Sequence, residues 1–138
     1  MLLTIERVTL LKRVSLFERT PDRVLAGLAR TLLEEEFPVG TDLMVAGAVE
    51  DWMFVLTEGT VRVTRPDRAV DLGAGQVVGE LAVLEPEPRT ATVTALTDVR
   101  AFRLRKVDFD EALRTRPEIA VGVIAELVRR LREAHSSA

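Results

Sequence analysis

The segment from Val78 to Val93 constrains the fold more than any other stretch of this chain, because it forces a turn and a chain reversal within a few residues. Gly79 lacks a Cβ atom, so the backbone there can approach another group closely. Residues 80–82 favour a helical turn, and the first N–H groups of such a turn lack partners and attract anions. The two prolines that follow end the helix and turn the chain. Arg89 can therefore return over the start of the turn.

Two interpretations of this segment are open from the residues alone. In the first, the N–H groups and the planar guanidinium of Arg89 hold one anion such as a phosphate, and Glu80 accepts a hydrogen bond from a nearby hydroxyl. In the second, Gly79 only ends a strand. Glu80 and Arg89 are then solvated charges, or a surface ion pair that contributes ~0–1 kcal/mol.

Length and composition indicate one folded domain over residues 1–138. Apolar residues make up 47% of the chain, enough for a sizeable core, and charged residues make up 30%. The net charge of -3 argues against a chain built for nucleic acid. No apolar run has membrane-spanning length, and residues 1–7 lack the order of a signal peptide. We therefore expect a cytoplasmic location.

The sequence contains few of the residue patterns that catalysis requires. There is no cysteine, hence no disulfide, thiolate zinc site or cysteine nucleophile. The one histidine, His135, stands beside Ser136 and Ser137 near the end, where a frayed tail residue is expected. No His, Asp and Glu cluster has metal-ligand spacing, so we expect no metal, no catalytic residue and no enzyme.

Apolar periodicity divides the chain into helices, strands and helices. Helical spacing predicts helices over 4–14 and 21–33, with Thr20 as the N-cap and Pro21 at the first helical position. Many short alternating segments between turns predict a barrel or jelly roll over about 34–105. Residues 106–134 return to helical spacing, as two helices. In the last one, a wide apolar stripe contains Ile119, Ala120, Val123, Ile124, Leu127, Val128 and Leu131, and Glu126 is assigned to its flank.

Two tetrapeptides in register, Gly79-Glu80-Leu81-Ala82 and Pro88-Arg89-Thr90-Ala91, resemble the phosphate-binding cassette of cyclic nucleotide-binding domains. These are the sensor domains of catabolite activators and of protein kinase A regulatory subunits. The order of segments over residues 8–132 is also similar to that family. One departure is Val78, where many members have phenylalanine. The resemblance implies an α+β fold: a jelly-roll-like antiparallel β-roll with an inserted cassette, flanked by N-terminal helices and two C-terminal helices.

The resemblance also implies a function and a set of binding residues. The function is reversible binding of a cyclic nucleotide as a regulatory ligand, without a cofactor; cAMP is expected ahead of cGMP, and the sequence leaves the base preference open. Arg89, Thr90 and the N–H groups of the turn would hold the phosphate, and Glu80 the ribose. A threonine at position 90 is associated with tolerance of cGMP. The implied ligand-binding residues are Gly79, Glu80, Leu81, Ala82, Arg89, Thr90 and Ala91, with Arg129 or Arg130 as a possible cap over the base.

The resemblance implies a signal as well, although the sequence does not name the output. The last helix would move when ligand binds. It could also pair with a second copy in a homodimer, or act on an effector domain of another chain. No helix-turn-helix follows it, so we expect a sensor without a visible effector or a domain cut from a larger protein. The alternative is a degenerate member that no longer binds ligand and serves as a protein-interaction or dimerisation module.

Overall fold

Residues 3–136, which this computed structural model describes, form four helices, eight strands and two short 3-10 turns. The helices are α1 (Thr4–Leu11), α2 (Asp22–Ala29), α3 (Lys106–Thr115) and α4 (Glu118–Ser136). The strands are β1 (Leu33–Phe37), β2 (Asp42–Met44), β3 (Trp52–Glu58), β4 (Val61–Thr64), β5 (Ala69–Leu72), β6 (Val77–Val78), β7 (Thr92–Ala95) and β8 (Val99–Arg105). The 3-10 turns are Ser15–Phe17 and Glu80–Val83.

The elements separate into two compact units. The helical unit contains residues 1–31 and 107–138, and the β unit contains Leu32–Lys106. The β unit agrees to within a few residues with the β-roll expected over 34–105. The assignment of both units to a single domain stays a prediction.

The β unit consists of two four-stranded antiparallel sheets. Their strand orders are β1-β8-β3-β6 and β2-β7-β4-β5. Residues 53–56 of β3 are fully or almost fully buried. β4 alternates between buried and exposed residues, so its inward side chains are Val61 and Val63. The antiparallel β-roll, with helices before and after it in the chain, confirms the predicted fold class.

The two N-terminal helices are shorter than their apolar spacing predicted. α1 ends at Leu11 and α2 at Ala29, because the following N–H groups bond three residues back and tighten each end. Thr20 is not an N-cap, so that prediction was wrong. Pro21 occupies the cap position without a side-chain hydrogen bond. The Thr20 hydroxyl is buried instead, at 2.5 Å from where a Cβ on Gly122 would lie.

α4 has two apolar faces, which the single predicted stripe had merged. Ile119, Gly122 and Val123 are buried on one face. The other face exposes four apolar side chains: Val121, Ile124, Val128 and Leu131. Glu126 does not lie on a flank but is fully buried on the first face. An α-helix turns 100° per residue, so residues three and four apart share a face and place Glu126 in line with Ile119 and Val123.

Three arginines of the helical unit surround the buried Glu126. Arg129 donates from Nε to Oε1 at 2.7 Å and from Nη2 to Oε2 at 2.8 Å, and Arg130 Nε donates to Oε2 at 3.1 Å. Arg19 Nε lies 3.9 Å from Oε1, and Arg130 also donates to Ser15 Oγ. The hydrogen bond from Arg129 contributes most to lowering the pKa of Glu126, with a further contribution from Arg130. The result is a pKa of about 2 despite burial, which opposes the shift.

We predict that the helical unit loses stability in acid through Glu126. Its folded-state pKa lies below its ordinary value of 4.5. The stabilisation is therefore complete above that value and is lost as the pH falls from about 4.5 towards 2. The shift corresponds to at most about 3 kcal/mol. Urea unfolding at pH 7 and pH 3 measures this loss in the parent and in Glu126→Gln, which should already be destabilised at pH 7 and lose less on acidification.

Glu111→Gln is the matched control, because Glu111 is exposed and paired with Arg114 three residues away. It should retain the acid sensitivity of the parent. If Glu126→Gln loses as much stability as the parent between pH 7 and pH 3, the acid step belongs to other carboxylates.

Candidate ligand-binding site

A cavity of about 530 Å³ lies within the β unit, against the turn at residues 79–83. All seven ligand-binding residues expected from the sequence line it: Gly79, Glu80, Leu81, Ala82, Arg89, Thr90 and Ala91. An apolar floor is supplied by inward-facing strand residues, among them Met44, Val63 and Val93. A cavity of this size holds a small organic molecule, and its lining combines an apolar floor with charged groups at the cassette.

The turn at the cavity begins with a left-handed glycine. Gly79 has φ +76°, a left-handed conformation that costs glycine little and other residues more. Residues 80–83 then form a single 3-10 turn. The Ala82 N–H donates to Gly79 O at 3.1 Å, whereas the Leu81 N–H makes no backbone hydrogen bond within residues 3–136. Leu81 itself is 53% exposed, and its N–H is a donor of this turn without a backbone partner in that range.

Arg89 is buried beside this turn and is held by two acceptors. Its side chain is only 4% exposed. Nε donates to Glu50 Oε1 at 3.0 Å, and Nη2 donates to the backbone oxygen of Trp52 at 2.5 Å. Nη1 makes no hydrogen bond within the described part of the chain. The guanidinium is thus fixed from one side, and one nitrogen at the cavity remains available to an acceptor.

The backbone around Arg89 is paired with the loop that precedes β3. The Arg89 N–H donates to Ala48 O, and the Gly47 N–H donates to Arg89 O, each at 2.8 Å. Val49 and Pro88 form the bridge between them. This short antiparallel pairing places Glu50 beside the guanidinium. Sequence analysis missed Glu50, because a partner 39 residues away leaves no local spacing signal.

Arg89 packs so closely against Gly79 that position 79 has no room for a side chain. A Cβ built on Gly79 would lie 2.5 Å from Arg89 Nη1 and 3.2 Å from Cζ. Any side chain at position 79 would therefore displace the guanidinium. The glycine serves both the left-handed turn and the position of the arginine.

Lys106 closes the far end of the 3-10 turn. Its Nζ lies 3.4 Å from Val83 O and 3.3 Å from Leu84 O, and its N–H donates to Asp51 O at 2.7 Å. The last carbonyls of a helical turn lack partners, and a cation there stabilises them. Lys106, which follows β8, thus joins the C-terminal end of the cassette turn to Asp51, which precedes β3.

Arg129 and Arg130, the residues expected to cap a base, lie in the helical unit. Their guanidinium groups hold Glu126 there, and Arg129 also donates to Glu133 at 2.5 Å. These contacts do not test whether either arginine caps the base, so the cap stays a prediction.

The profile of a known protein family matches this chain over more than half of its length. The profile of the cyclic nucleotide-binding domain covers residues 34–116. The chain belongs to the cyclic nucleotide-binding domain family. This confirms the resemblance drawn from the cassette.

Curated relatives of this cyclic nucleotide-binding domain include channels and transcriptional regulators. A cyclic nucleotide-gated potassium channel of Rhizobium etli is 40% identical over 111 residues, which are 80% of this chain and 31% of the channel. A CRP-like cAMP-activated global transcriptional regulator of Mycobacterium tuberculosis is 29% identical over 134 residues, 93% of this chain and 60% of that protein. The chain therefore spans less than two thirds of the length of these relatives.

A solved structure supports the fold directly. The N-terminal domain of a transcriptional regulator from Streptomyces coelicolor A3(2) superimposes with a TM-score of 0.83 at 35% identity, covering 93% of this chain and 94% of that one. The catabolite activator protein of Thermus thermophilus superimposes with a TM-score of 0.71 at 25% identity, over 89% of this chain and 61% of that one.

Two further features concern the described residues 3–136. None of their helices is long and apolar enough to cross a membrane. They also contain no group of three or more His, Asp or Glu side chains placed to hold a metal ion.

We predict that Gly79→Ala destabilises the β unit more than backbone strain alone. Gly40→Ala is the matched control, because Gly40 has φ +87° but no atom near its would-be Cβ. The control should cost ~1–2 kcal/mol for the left-handed conformation. Gly79→Ala should cost at least about 1 kcal/mol more, since the guanidinium must move and charged hydrogen bonds contribute ~1.5–3 kcal/mol each. Equal losses in urea unfolding would show that Arg89 tolerates a side chain at position 79.

Proposed function

We propose that the domain reversibly binds a cyclic nucleotide in the β-unit cavity, cAMP in preference to cGMP, and acts by binding and not by catalysis. The observation that carries this proposal is the buried guanidinium of Arg89, which Glu50 and Trp52 O fix in place. Its Nη1 lies beside Gly79 and has no hydrogen-bond partner among the described residues. A planar cation in that position suits a phosphate oxygen. Membership of the family and the similarity to a cAMP-activated regulator support a cyclic nucleotide as the ligand. The cytoplasmic location stays a prediction.

The resemblance to the family assigns a role to each cassette residue, and these residues line the cavity. Arg89 Nη1 and the Leu81 N–H would donate to the cyclic phosphate. The Ala82 N–H already donates to Gly79 O, so it would have to share its hydrogen atom or exchange partners. Thr90 is exposed at the cavity and would add a hydroxyl. Glu80 would accept from the ribose 2′-hydroxyl.

We predict that cAMP binds the parent and that Arg89→Ala loses most of this affinity. Truncating one partner of a desolvated charge pair costs ~2–5 kcal/mol, which is ~30-fold to several thousand-fold in Kd. The variant should also be less stable, because Trp52 O loses its donor, at ~1–3 kcal/mol. Calorimetric titration with cAMP and cGMP measures the affinities, and circular dichroism establishes that the variant is folded.

Arg62→Ala is the control, since Arg62 is an exposed arginine paired with Asp71 outside the cavity. It should bind cAMP like the parent. A parent that binds neither nucleotide at millimolar concentration would support the alternative of a degenerate interaction module. A folded Arg89→Ala that binds as tightly as the parent would remove Arg89 from the phosphate site. Equal affinity of the parent for cAMP and 2′-deoxy-cAMP would remove the ribose role of Glu80.

We further propose that occupancy repositions α4, with Arg129 or Arg130 as a possible cap over the base. Both arginines donate hydrogen bonds to Glu126, so a contact with the base would compete with these bonds. We predict that cAMP slows amide hydrogen exchange in residues 117–134 as well as in residues 78–91. Protection confined to 78–91 would describe a binding site without a coupled helix. Exchange measured on Arg89→Ala with cAMP is the control.

The exposed face of α4 supports a homodimer as the partner. Val121, Ile124, Val128 and Leu131 follow the 3-4-3 spacing of a coiled-coil seam, and a second copy would offer the same seam. Sedimentation equilibrium should find a dimer for the parent and a monomer for Ile124→Glu. A monomeric parent would leave an effector domain on another chain as the partner.

A further inference from the structure

Arg103 lies on the inner face of the β unit, a place where charged side chains are rare. Its neighbours on the same face of β8, Val99 and Ala101, belong to the buried core, and strand alternation puts Arg103 on that face with them. The side chain is half-buried, and its Nε is buried and makes no hydrogen bond within residues 3–136. A buried donor without a partner costs free energy, so other contacts of this side chain must offset that cost.

Two side chains on the same inner face hold Arg103. In the sheet register, Arg103 lies opposite Leu33 of β1 and Phe54 of β3. Glu35 and Trp52 are two residues away on those strands, and such diagonal neighbours are within reach of a long side chain. Arg103 Nη2 lies 2.8 Å from Glu35 Oε1, and Arg103 Cζ lies 5.2 Å from the centre of the Trp52 ring. The guanidinium therefore covers the indole ring, a favourable contact between a cation and an aromatic face, while Glu35 restrains it there.

Trp52 connects this group with the candidate site. Its backbone oxygen accepts a hydrogen bond from Arg89 Nη2 at 2.5 Å. Trp52 begins β3 and pairs with Arg105 of β8 on one side. On the other side, β6 pairs with Phe54 and Val55 and does not extend to Trp52. The position of the Trp52 oxygen therefore depends on the pairing with Arg105 and on the packing of the indole ring.

We propose that Arg103 is a positioning residue of the phosphate site: it holds the Trp52 ring, and thereby keeps Trp52 O where Arg89 Nη2 binds it. Arg89 then presents Nη1 to the ligand in a fixed orientation. Glu35 assists, because it keeps the Arg103 guanidinium over the ring. Neither Arg103 nor Glu35 lines the cavity, so both act through Trp52 and Arg89 and not by contact with the ligand. This inference rests on the proposed binding of a cyclic nucleotide.

The test is a calorimetric titration of the parent, Arg103→Ala and Arg103→Lys with cAMP. Arg103→Ala should weaken binding by roughly 3- to 30-fold, the loss expected for one contact between a cation and an aromatic ring at a partly buried position. Arg103→Lys keeps a cation near Glu35 and the ring but lacks the planar guanidinium, so its loss should be smaller. Arg100→Ala is the matched control, because Arg100 is an ion-paired arginine on the opposite face of the same strand. It should leave the affinity unchanged.

A second measurement separates positioning from a general loss of stability. In the ¹H–¹⁵N spectrum without ligand, the Arg89 Nε–Hε signal should shift in Arg103→Ala and in Glu35→Gln, and should stay in place in Arg100→Ala. The effects on binding should also depend on Arg89. Arg89→Lys lacks the planar fork that binds Trp52 O, so in that background Arg103→Ala should weaken cAMP binding by less than about twofold.

The possible outcomes distinguish this inference from the proposed function. A parent that binds no cyclic nucleotide overturns the proposed function together with this inference. A parent that binds cAMP, with the same affinity in the folded Arg103→Ala variant, overturns this inference alone. Equal losses in the parent and Arg89→Lys backgrounds would show that Arg103 acts on the fold and not through Arg89. If Arg103→Ala does not fold, Glu35→Gln takes its place in the same comparisons, because it removes the charge that restrains Arg103.

Discussion

The candidate site depends on the hydrogen bonds that the buried guanidinium of Arg89 donates to Glu50 and to Trp52 O. Moving an isolated charge out of water costs several kcal/mol unless it is paired and hydrogen-bonded. Glu50 supplies the countercharge and Trp52 O a second acceptor, and both come from the segment that leads into β3. The pairing of Gly47 and Ala48 with the backbone of Arg89 holds that segment in place. The Arg89 side chain thus joins the cassette to Glu50, in the loop before β3, and to Trp52, the first residue of β3.

Two buried charge clusters in the described part of the chain differ in how completely their hydrogen bonds are satisfied. Both oxygens of Glu126 accept hydrogen bonds from arginines, so the polar atoms of this carboxylate are paired within the helical unit. Among residues 3–136, Arg89 Nη1 has no hydrogen-bond partner, and it lies beside a glycine that cannot be replaced without a clash. A partly satisfied buried charge is costly unless something else completes it. That difference is the reason why we propose the Arg89 cluster, and not the Glu126 cluster, as the ligand-binding site.

The sequence predicted those features of the fold and of the candidate site that depend on residues close together in the chain. The seven ligand-binding residues were implied by a family resemblance that two short, local tetrapeptides carry, and all seven line one cavity. Contacts between distant segments gave no such signal. Glu50 beside Arg89, and Thr20 against Gly122, join segments far apart in the chain. Glu126 was misassigned because a buried acid looks like a flank residue until its arginine partners are known.

The most direct test of the central claim, that the Arg89 cavity binds a cyclic nucleotide, is a two-dimensional ¹H–¹⁵N NMR titration with cAMP, with 5′-AMP as the control. Saturating cAMP should shift the Arg89 Nε–Hε signal and the amides of Gly79, Leu81 and Thr90. The loop at residues 47–50 should follow, because it holds Arg89. The linear nucleotide should produce smaller shifts at the same sites. An unchanged spectrum, or shifts that leave residues 79–91 and the Arg89 side chain unaffected, would contradict the account.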